Sequence, residues 1–430
     1  MEKNIDAAVG MTRKWDAREA GREVARDTIQ QLKAPPSFFL LFSTIHYEKN
    51  GGFEELLKGV WDVLPKETPL VGGTVVGFMN NYGCFTRGAS ALAVSYPNMD
   101  VVIGYGKNTK RSPKKAVNQC SDMIKKGLSK STYKNKFLLN LVSGPEVPSI
   151  PGIGRTKIIR SGALSKFAIP AFGISQSLFQ KGLGREDEIF EDLVNKLSDY
   201  HMILGTTIDD YKGVSNYQFL NENVLTNSIV NLAISTDLNL NVKTTHGMKK
   251  TDIRFEITKL SKNKHIIHEI NNKPALNELY KLLNWPEDFL NEKTMANTIL
   301  YYPISLKRNE REVPAVMTFI LKDSILVPCV IDKDEVSILT VSGNNLVKAV
   351  QENLNYFENL DSEFGIISSC VTILLTLGNN MYKVREHVMK YFKNKPFLMF
   401  WCAGEGTYSP EKNITYANMS FNTAVIGRCR

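Results

Sequence analysis

An apolar run at Phe38–Thr44 (FFLLFST) is followed by an amphipathic stretch at Phe53–Leu64 and, after Pro69, by a second apolar run at Leu70–Val76. Strand, helix and strand in so short a span predict a right-handed crossover with parallel pairing. A polar loop rich in Gly, Asn and Tyr then leads to two alternating segments, Ser90–Tyr96 and Val101–Tyr105, which read as a hairpin turned at Pro97-Asn98. The same order returns twice. The second copy has a strand at Phe137–Val142, a helix at Glu186–Tyr200, a strand at Met202–Thr207 and a hairpin at Ser228–Ser235 and Leu238–Thr245. The third has a strand at Ile366–Leu375, a helix at Met381–Phe392, a strand at Phe397–Cys402, a polar loop and a last strand at Phe421–Ile426. It is one strand short.

The first strand of each copy is almost continuously apolar, which suits strands covered on both faces, whereas the hairpins alternate more and should extend the sheet antiparallel. The expected fold is α/β with α+β mixed sheets: repeated β-α-β-β units forming mixed sheets flanked by helices, in two lobes. An opening helix is read over Asp16–Leu32, stopped by Pro35-Pro36. Between copies two and three the pattern changes to a hairpin (252–260 and 264–270), a helix at Pro274–Leu283, short strands at 317–321, 326–331 and 336–341, and a helix at Leu346–Leu360. The expected division is an N-terminal helix within 1–35, a two-copy domain over 36–245 and a C-terminal domain over 246–430.

Composition narrows the function more than it names it. The net charge is +9, but the densest basic run, Lys107–Lys115, has no aromatic residues interleaved, so it reads as a solvated face and not as a nucleic-acid groove. The six cysteines are scattered without a CxxC, as in a reducing compartment. The N-terminal residues lack the apolar core of a signal peptide, and the longest apolar stretch, Phe364–Leu377, is too short to span a bilayer and reads as a buried strand. The expectation is a cytoplasmic protein with no membrane insertion and no nucleic-acid partner. Nucleotide-binding glycine loops, G-x-S-x-G and H-E-x-x-H are absent, and His265 and His268, three apart on a strand, point to opposite faces, so neither a cofactor nor a metal is expected.

The strand ends carry the functional signal. In open sheets ligands collect beyond the carboxyl ends of parallel strands. Here those ends are small and polar: Ser43-Thr44, Gly72-Gly73-Thr74, Ser143-Gly144, Gly205-Thr206-Thr207 and Ala403-Gly404-Glu405-Gly406. Glycine lets backbone N–H groups approach an anion and hydroxyls add orientable hydrogen bonds, while Asp209, Asp210 and Glu405 suit an ammonium. The candidate ligand-binding residues are Gly73, Thr74, Thr206, Thr207, Asp209, His246, Cys402, Gly404 and Glu405. The alternative is an enzyme with Cys370 or Cys402 as nucleophile, or Glu405 as general acid/base.

The chain resembles the FIST family over most of its length, from about Ala17 to Gly427. The resemblance is carried by PLVGGTVVGF (Pro69–Phe78), THGMKK (Thr245–Lys250), the stretch Phe255–Leu283, FLMFWCAGEGTYSP (Phe397–Pro410) and Asn422-Thr423. Phe78 stands where the family motif has a glutamate, and Val371-Thr372-Ile373 stand where many members place an arginine. The resemblance implies an N-terminal and a C-terminal FIST part, and a sensor of small molecules with amino acids as the ligand class. It implies no catalysis, and a signal passed to a separate protein partner.

Overall fold

The computed structural model describes residues 5–149, 154–165, 175–286, 289, 291, 294, 298, 301–308, 311–332 and 334–429. Three units follow one plan. In the first, strand β1 (Asp6–Thr12) and helix α1 (Ala17–Ile29) lead into β2 (Phe38–Ser43), α2 (Phe53–Trp61) and β3 (Leu70–Thr74), followed by a small hairpin, β4 (Gly77–Asn80) and β5 (Gly83–Phe85), and by β6 (Ala89–Ser95). The second runs β7 (Met99–Lys107), α3 (Pro113–Gly127), β8 (Asn135–Ser143), the short β9 (Ile158–Ile159), α4 (Glu186–Lys196), β10 (His201–Thr207), hairpin β11 (Gln218–Leu220) and β12 (Asn223–Leu225), and β13 (Ser228–Thr236).

The third opens with β14 (Asn239–His246), which is followed by an insertion. This comprises β15 (Met248–Leu260), β16 (Ile266–Ile270), β17 (Lys273–Pro274), α5 (Ala275–Leu282), β18 (Ile304–Arg308), β19 (Arg311–Ala315), β20 (Phe319–Leu321), β21 (Ser324–Leu326) and β22 (Glu335–Val341). The unit then resumes with α6 (Gly343–Asn355), β23 (Leu360–Cys370), α7 (Val371–Leu377), α8 (Met381–Phe392), β24 (Phe397–Cys402), hairpin β25 (Glu405–Ser409) and β26 (Lys412–Ala417), and β27 (Ser420–Cys429).

The three unit sheets share one strand order, and each borrows its far edge. They run β1-β6-β2-β3-β11-β12, β7-β13-β8-β10-β25-β26 and β14-β27-β23-β24-β4-β5. Unit two thus lends its hairpin to sheet one, unit three to sheet two, and unit one to sheet three. Within each sheet the central pair is parallel: β2 with β3, β8 with β10, and β23 with β24. The insertion builds a second lobe, a nine-stranded sheet that also takes in β9.

Alternation explains why the parallel strands look uniformly apolar. Phe38, Leu40 and Phe42 enter a core shared with Phe137, Leu139, Phe364, Ile366 and Phe400 of the other sheets, while Phe39 and Leu41 pack under α1 and α2 with Val24 and Leu56. Phe42 stacks on Phe400 with ring centroids 4.2 Å apart. Both faces of the strand are therefore dry, and the alternation is hidden in the sequence.

Three expectations are corrected. The two hairpins read in the repeated units do not pair with themselves, unlike the one at 252–270, where β15 pairs with β16: Ser90–Tyr96 contributes β6 to sheet one, and the chain crosses so that β7 pairs with β13, while β14 likewise pairs with β27. An alternating strand accepts any antiparallel partner, so its pattern does not name which one. The run Phe364–Leu377 is not one strand, because it turns helical at Val371. Cys370 pairs with Cys402, the last residue of β24, so the backbone beyond has no neighbouring strand and satisfies its N–H groups by coiling. Gly378, at φ 48°, follows the helix. Finally, the basic run is not wholly solvated: Lys110 is buried against Glu146 at 3.2 Å. The polar loops after β3, β10 and β24 also hold the exchanged hairpins, whose strands of three to six residues are too short to show a period.

Candidate functional site

The carboxyl ends of the three parallel pairs carry matched residues. Ser43 lies opposite Thr74, Ser143 opposite Thr207, and Cys370 opposite Cys402, and all six are buried. Hydrogen bonds between the three units close a ring beside them. The Ile208 N–H donates to the Thr74 carbonyl (3.0 Å), the Val76 N–H to the Trp401 carbonyl (3.1 Å), and the Ala403 N–H to the Thr206 hydroxyl (3.0 Å). Gly73 is required by this packing, since a Cβ there would lie 2.5 Å from the Thr207 methyl and 2.6 Å from the Tyr217 carbonyl.

Asn216 links this ring to the periphery. Its side-chain oxygen accepts from the hydroxyls of Ser143 (3.0 Å) and Thr207 (3.1 Å) and from the Gln218 amide (2.9 Å). Its amide donates to Glu146 (3.1 Å), which also accepts from Lys110. Burial pulls the Lys110 ammonium below its ordinary pKa, opposed by the Glu146 charge.

A cavity of about 120 Å³ opens beside the ring. Its walls come from the loops after β8 and β10 (Glu146, Val147, Asp209, Tyr211), the start of α4 (Glu186), the β23–α7 junction (Cys370, Thr372), Ala403, Asn418 and the second lobe (Val316, Met317, Phe319). Core and insertion therefore both face the same space. Asp209 shapes one wall by accepting from the N–H groups of Gly213 (2.9 Å) and Val214 (2.6 Å).

One buried acid lies on the cavity wall and a second lies behind it. Glu186 is 2% exposed, and its Oε1 accepts from the Tyr416 hydroxyl at 3.3 Å. Burial, reinforced by the Asp187 charge, pushes its carboxyl up to about 8. Glu405 is fully buried; its Oε1 accepts from the Gly404 N–H at 3.0 Å and faces the Cys402 thiol at 3.9 Å, and the Cys370 thiol also bonds this carboxyl. Burial pushes Glu405 up to about 8, with the Glu186 charge adding to it. Among the described residues, Oε2 of each acid has no hydrogen-bond partner. Burial and the Glu405 charge raise both thiols well above the usual cysteine value, so they rest as thiols, not thiolates.

Of the residues singled out from the sequence, Gly73, Thr74, Thr206, Thr207 and Gly404 come together in the hydrogen-bonded ring, with Cys402 and Glu405 immediately behind it. Asp209 lies on the cavity wall. His246 ends β14 and reaches elsewhere, to the Glu312 carbonyl in the insertion at 3.3 Å. Sequence reasoning misses Glu146 and Glu186. A glutamate just past the Ser143-Gly144 tip is the available signal for the first; Glu186 looks like an ordinary acid in a helix's first turn. His265 and His268 bond separately, to the Val327 carbonyl and the Ser324 hydroxyl. No group of three or more His, Cys, Asp or Glu suited to a metal occurs among the described residues, nor any helix long and apolar enough to cross a membrane.

A family model described as the FIST N domain matches residues 37–273, more than half of the chain. The chain belongs to the FIST family. FIST domains are a sensory domain family, so the role is one of signal sensing. The match runs from β2 of unit one through unit two and β14 into the insertion, so the residues it includes supply Glu146, Glu186 and Asp209 of the cavity. No curated protein matches this FIST chain. Among solved structures, a cyanuric acid hydrolase from A. caulinodans is similar over 55% of this chain and 72% of its own, with 7% identity and a TM-score of 0.28. That likeness is too distant to inform fold or activity.

Proposed function

We propose that this FIST protein senses a small metabolite, an amino acid or a relative of one, bound in the cavity between the unit core and the second lobe. The observation that carries the reading is the origin of the walls. Residues as far apart as Glu146, Asp209, Met317 and Cys370 face one space. A ligand there bridges two lobes, and one that prefers the closed arrangement shifts the population toward it. A separate protein partner reads that shift.

The lining suits a zwitterion or amine with an apolar body: carboxyls from Glu146, Glu186 and Asp209, cations from Lys157 and Lys212, and apolar surface from Val147, Val316 and Phe319. We place the protein in the cytoplasm, a reading supported by the free thiols of Cys84, Cys120, Cys329, Cys370 and Cys402.

The test is a thermal-shift screen of the full chain against amino acids, their decarboxylated amines, carboxylic acids and polyols. A true ligand at a hundredfold its Kd stabilises by about 2.7 kcal/mol. No shift with any of these classes, on a chain shown to be folded, overturns the reading.

A further inference from the structure

The cavity wall carries three carboxyls, and they are not equivalent. Glu146 is engaged by Lys110 and Asn216, and Asp209 holds two backbone N–H groups. Glu186 receives the Tyr416 hydroxyl on Oε1, while its Oε2, in a side chain that is almost entirely buried, has no partner among the described residues. The Thr372 hydroxyl lies on the same wall, beside the Cys370 thiol. A buried acceptor left without a donor is costly, and an incoming donor recovers that cost.

Behind Glu186 stands a second acid. A Cβ on Gly404 would lie 2.8 Å from Glu186 Oε1, so that residue's bare backbone separates the two side chains, and its N–H is committed to Glu405. Two carboxyls this deep in apolar surroundings do not both ionise unless a cation joins them. The other groups facing the pair do not fill that role. Asp187 adds negative charge beside Glu186, Lys110 is committed to Glu146, and Tyr416, Cys370 and Cys402 are neutral. Toward the mouth, Lys212 pairs with Asp210 and Lys157 lies over the Tyr211 ring, 5.0 Å from its centroid.

We propose that Glu186 is the recognition group for a ligand's protonated amine, and that binding expels one proton from the Glu186–Glu405 pair. This rests on the cavity being the sensory site and specifies the ligand chemistry it takes. The step balances: the neutral Glu186 carboxylic acid and a primary alkylammonium give a carboxylate–ammonium ion pair and one proton released to solvent. The ligand keeps all its protons, and no bond within it breaks. Thr372 offers the amine a second acceptor, and Val147, Val316 and Phe319 receive its apolar body.

The experiment is calorimetric titration of the full chain with n-butylammonium chloride at pH 7, in phosphate and in HEPES, whose ionisation enthalpies differ and neither of which is a primary amine. The expected result is release of about one proton per site, with affinity rising roughly tenfold per pH unit between pH 6 and 8 and levelling above. Glu186→Gln, close in shape, loses the proton release and binds at least about tenfold more weakly. Asp122→Asn, exposed on α3, binds as the parent does. Should Glu186→Gln fail to fold, the proton count on the parent chain decides. Butylammonium binding without proton release, unchanged affinity in Glu186→Gln, or no binding of the amine overturns the assignment. If acids or polyols stabilise the chain and amines do not, this assignment falls while the sensor reading stands; if nothing in the screen binds, both fall.

Discussion

Cys370 and Cys402 are register partners at the carboxyl ends of β23 and β24, and both thiols are directed at the Glu405 carboxyl. In the other two sheets the same positions hold a serine and a threonine. The thiols keep the small size of those residues without demanding strong hydrogen bonds in a dry layer. Their burial predicts an order of reactivity. Iodoacetamide at pH 8 should modify the exposed Cys84 in the native protein, slowly because its thiol is pushed up to about 11, and reach Cys370 and Cys402 only after unfolding. Peptide mapping by mass spectrometry reads this directly.

Glu186 and Glu405 set a pH dependence of stability. Each folded-state pKa is raised from 4.5 to about 8, so between those values the native state holds protons that the unfolded chain has lost. Stability is therefore fully present below the unfolded value and declines as pH rises toward 8, by at most about 1.4 kcal/mol per pH unit per group. His46, pushed down to about 4 by burial and Arg87, acts in the opposite direction below pH 6.5. The clean window is pH 6.5 to 8. Denaturant midpoints should fall across it, and Glu405→Gln should reduce the slope.

The Lys110–Glu146 pair supports the wall from behind. Lys110→Met removes the cation from a carboxylate that stays buried, a loss of about 3–5 kcal/mol. Adding Glu146→Leu should recover most of that loss, as a double-mutant cycle by urea denaturation would show. Lys110→Met with near-parental stability would mean that the pair is hydrated.

Asn81 fastens the hairpin of unit one onto unit three. Its amide donates to the Lys395 carbonyl (3.0 Å), its side-chain oxygen accepts the Phe397 N–H (3.2 Å), and its own carbonyl accepts from Arg385 (3.1 Å). Asn81→Ala leaves two backbone groups unpaired, a loss of about 1–3 kcal/mol. Amide exchange should accelerate first at Phe397 and along β4, and uniform acceleration across the chain would contradict this.

Gly73→Ala tests the ring of strand ends. The added methyl meets the Thr207 methyl and a backbone carbonyl, both closer than any Cβ contact tolerates, so a loss of about 1–3 kcal/mol is expected by thermal unfolding. A neutral outcome would show that the borrowed strand β11 can move off β3.

Phe38–Thr44 and Phe137–Val142 were legible as strands covered on both faces because their apolar runs are bounded by turn residues and followed by amphipathic helices. The glycine and hydroxyl residues at their ends were legible as a meeting place. Glu186 was not. Its sequence context is that of a solvated helix start, with Asp187 and Glu188 beside it. What buries it is the Tyr416 hydroxyl and the Gly404 backbone, more than two hundred residues further along the chain.

Local order in this chain follows from periodicity, since which residues are apolar, and how often, sets strand against helix and marks where each ends. Partnership between sheets does not follow, because a short hairpin such as β4–β5 or β11–β12 offers the same backbone donors and acceptors to any open edge. Only the packed molecule selects which edge. The same packing decides ionisation, since a carboxyl keeps its ordinary pKa until neighbours from distant segments remove its water.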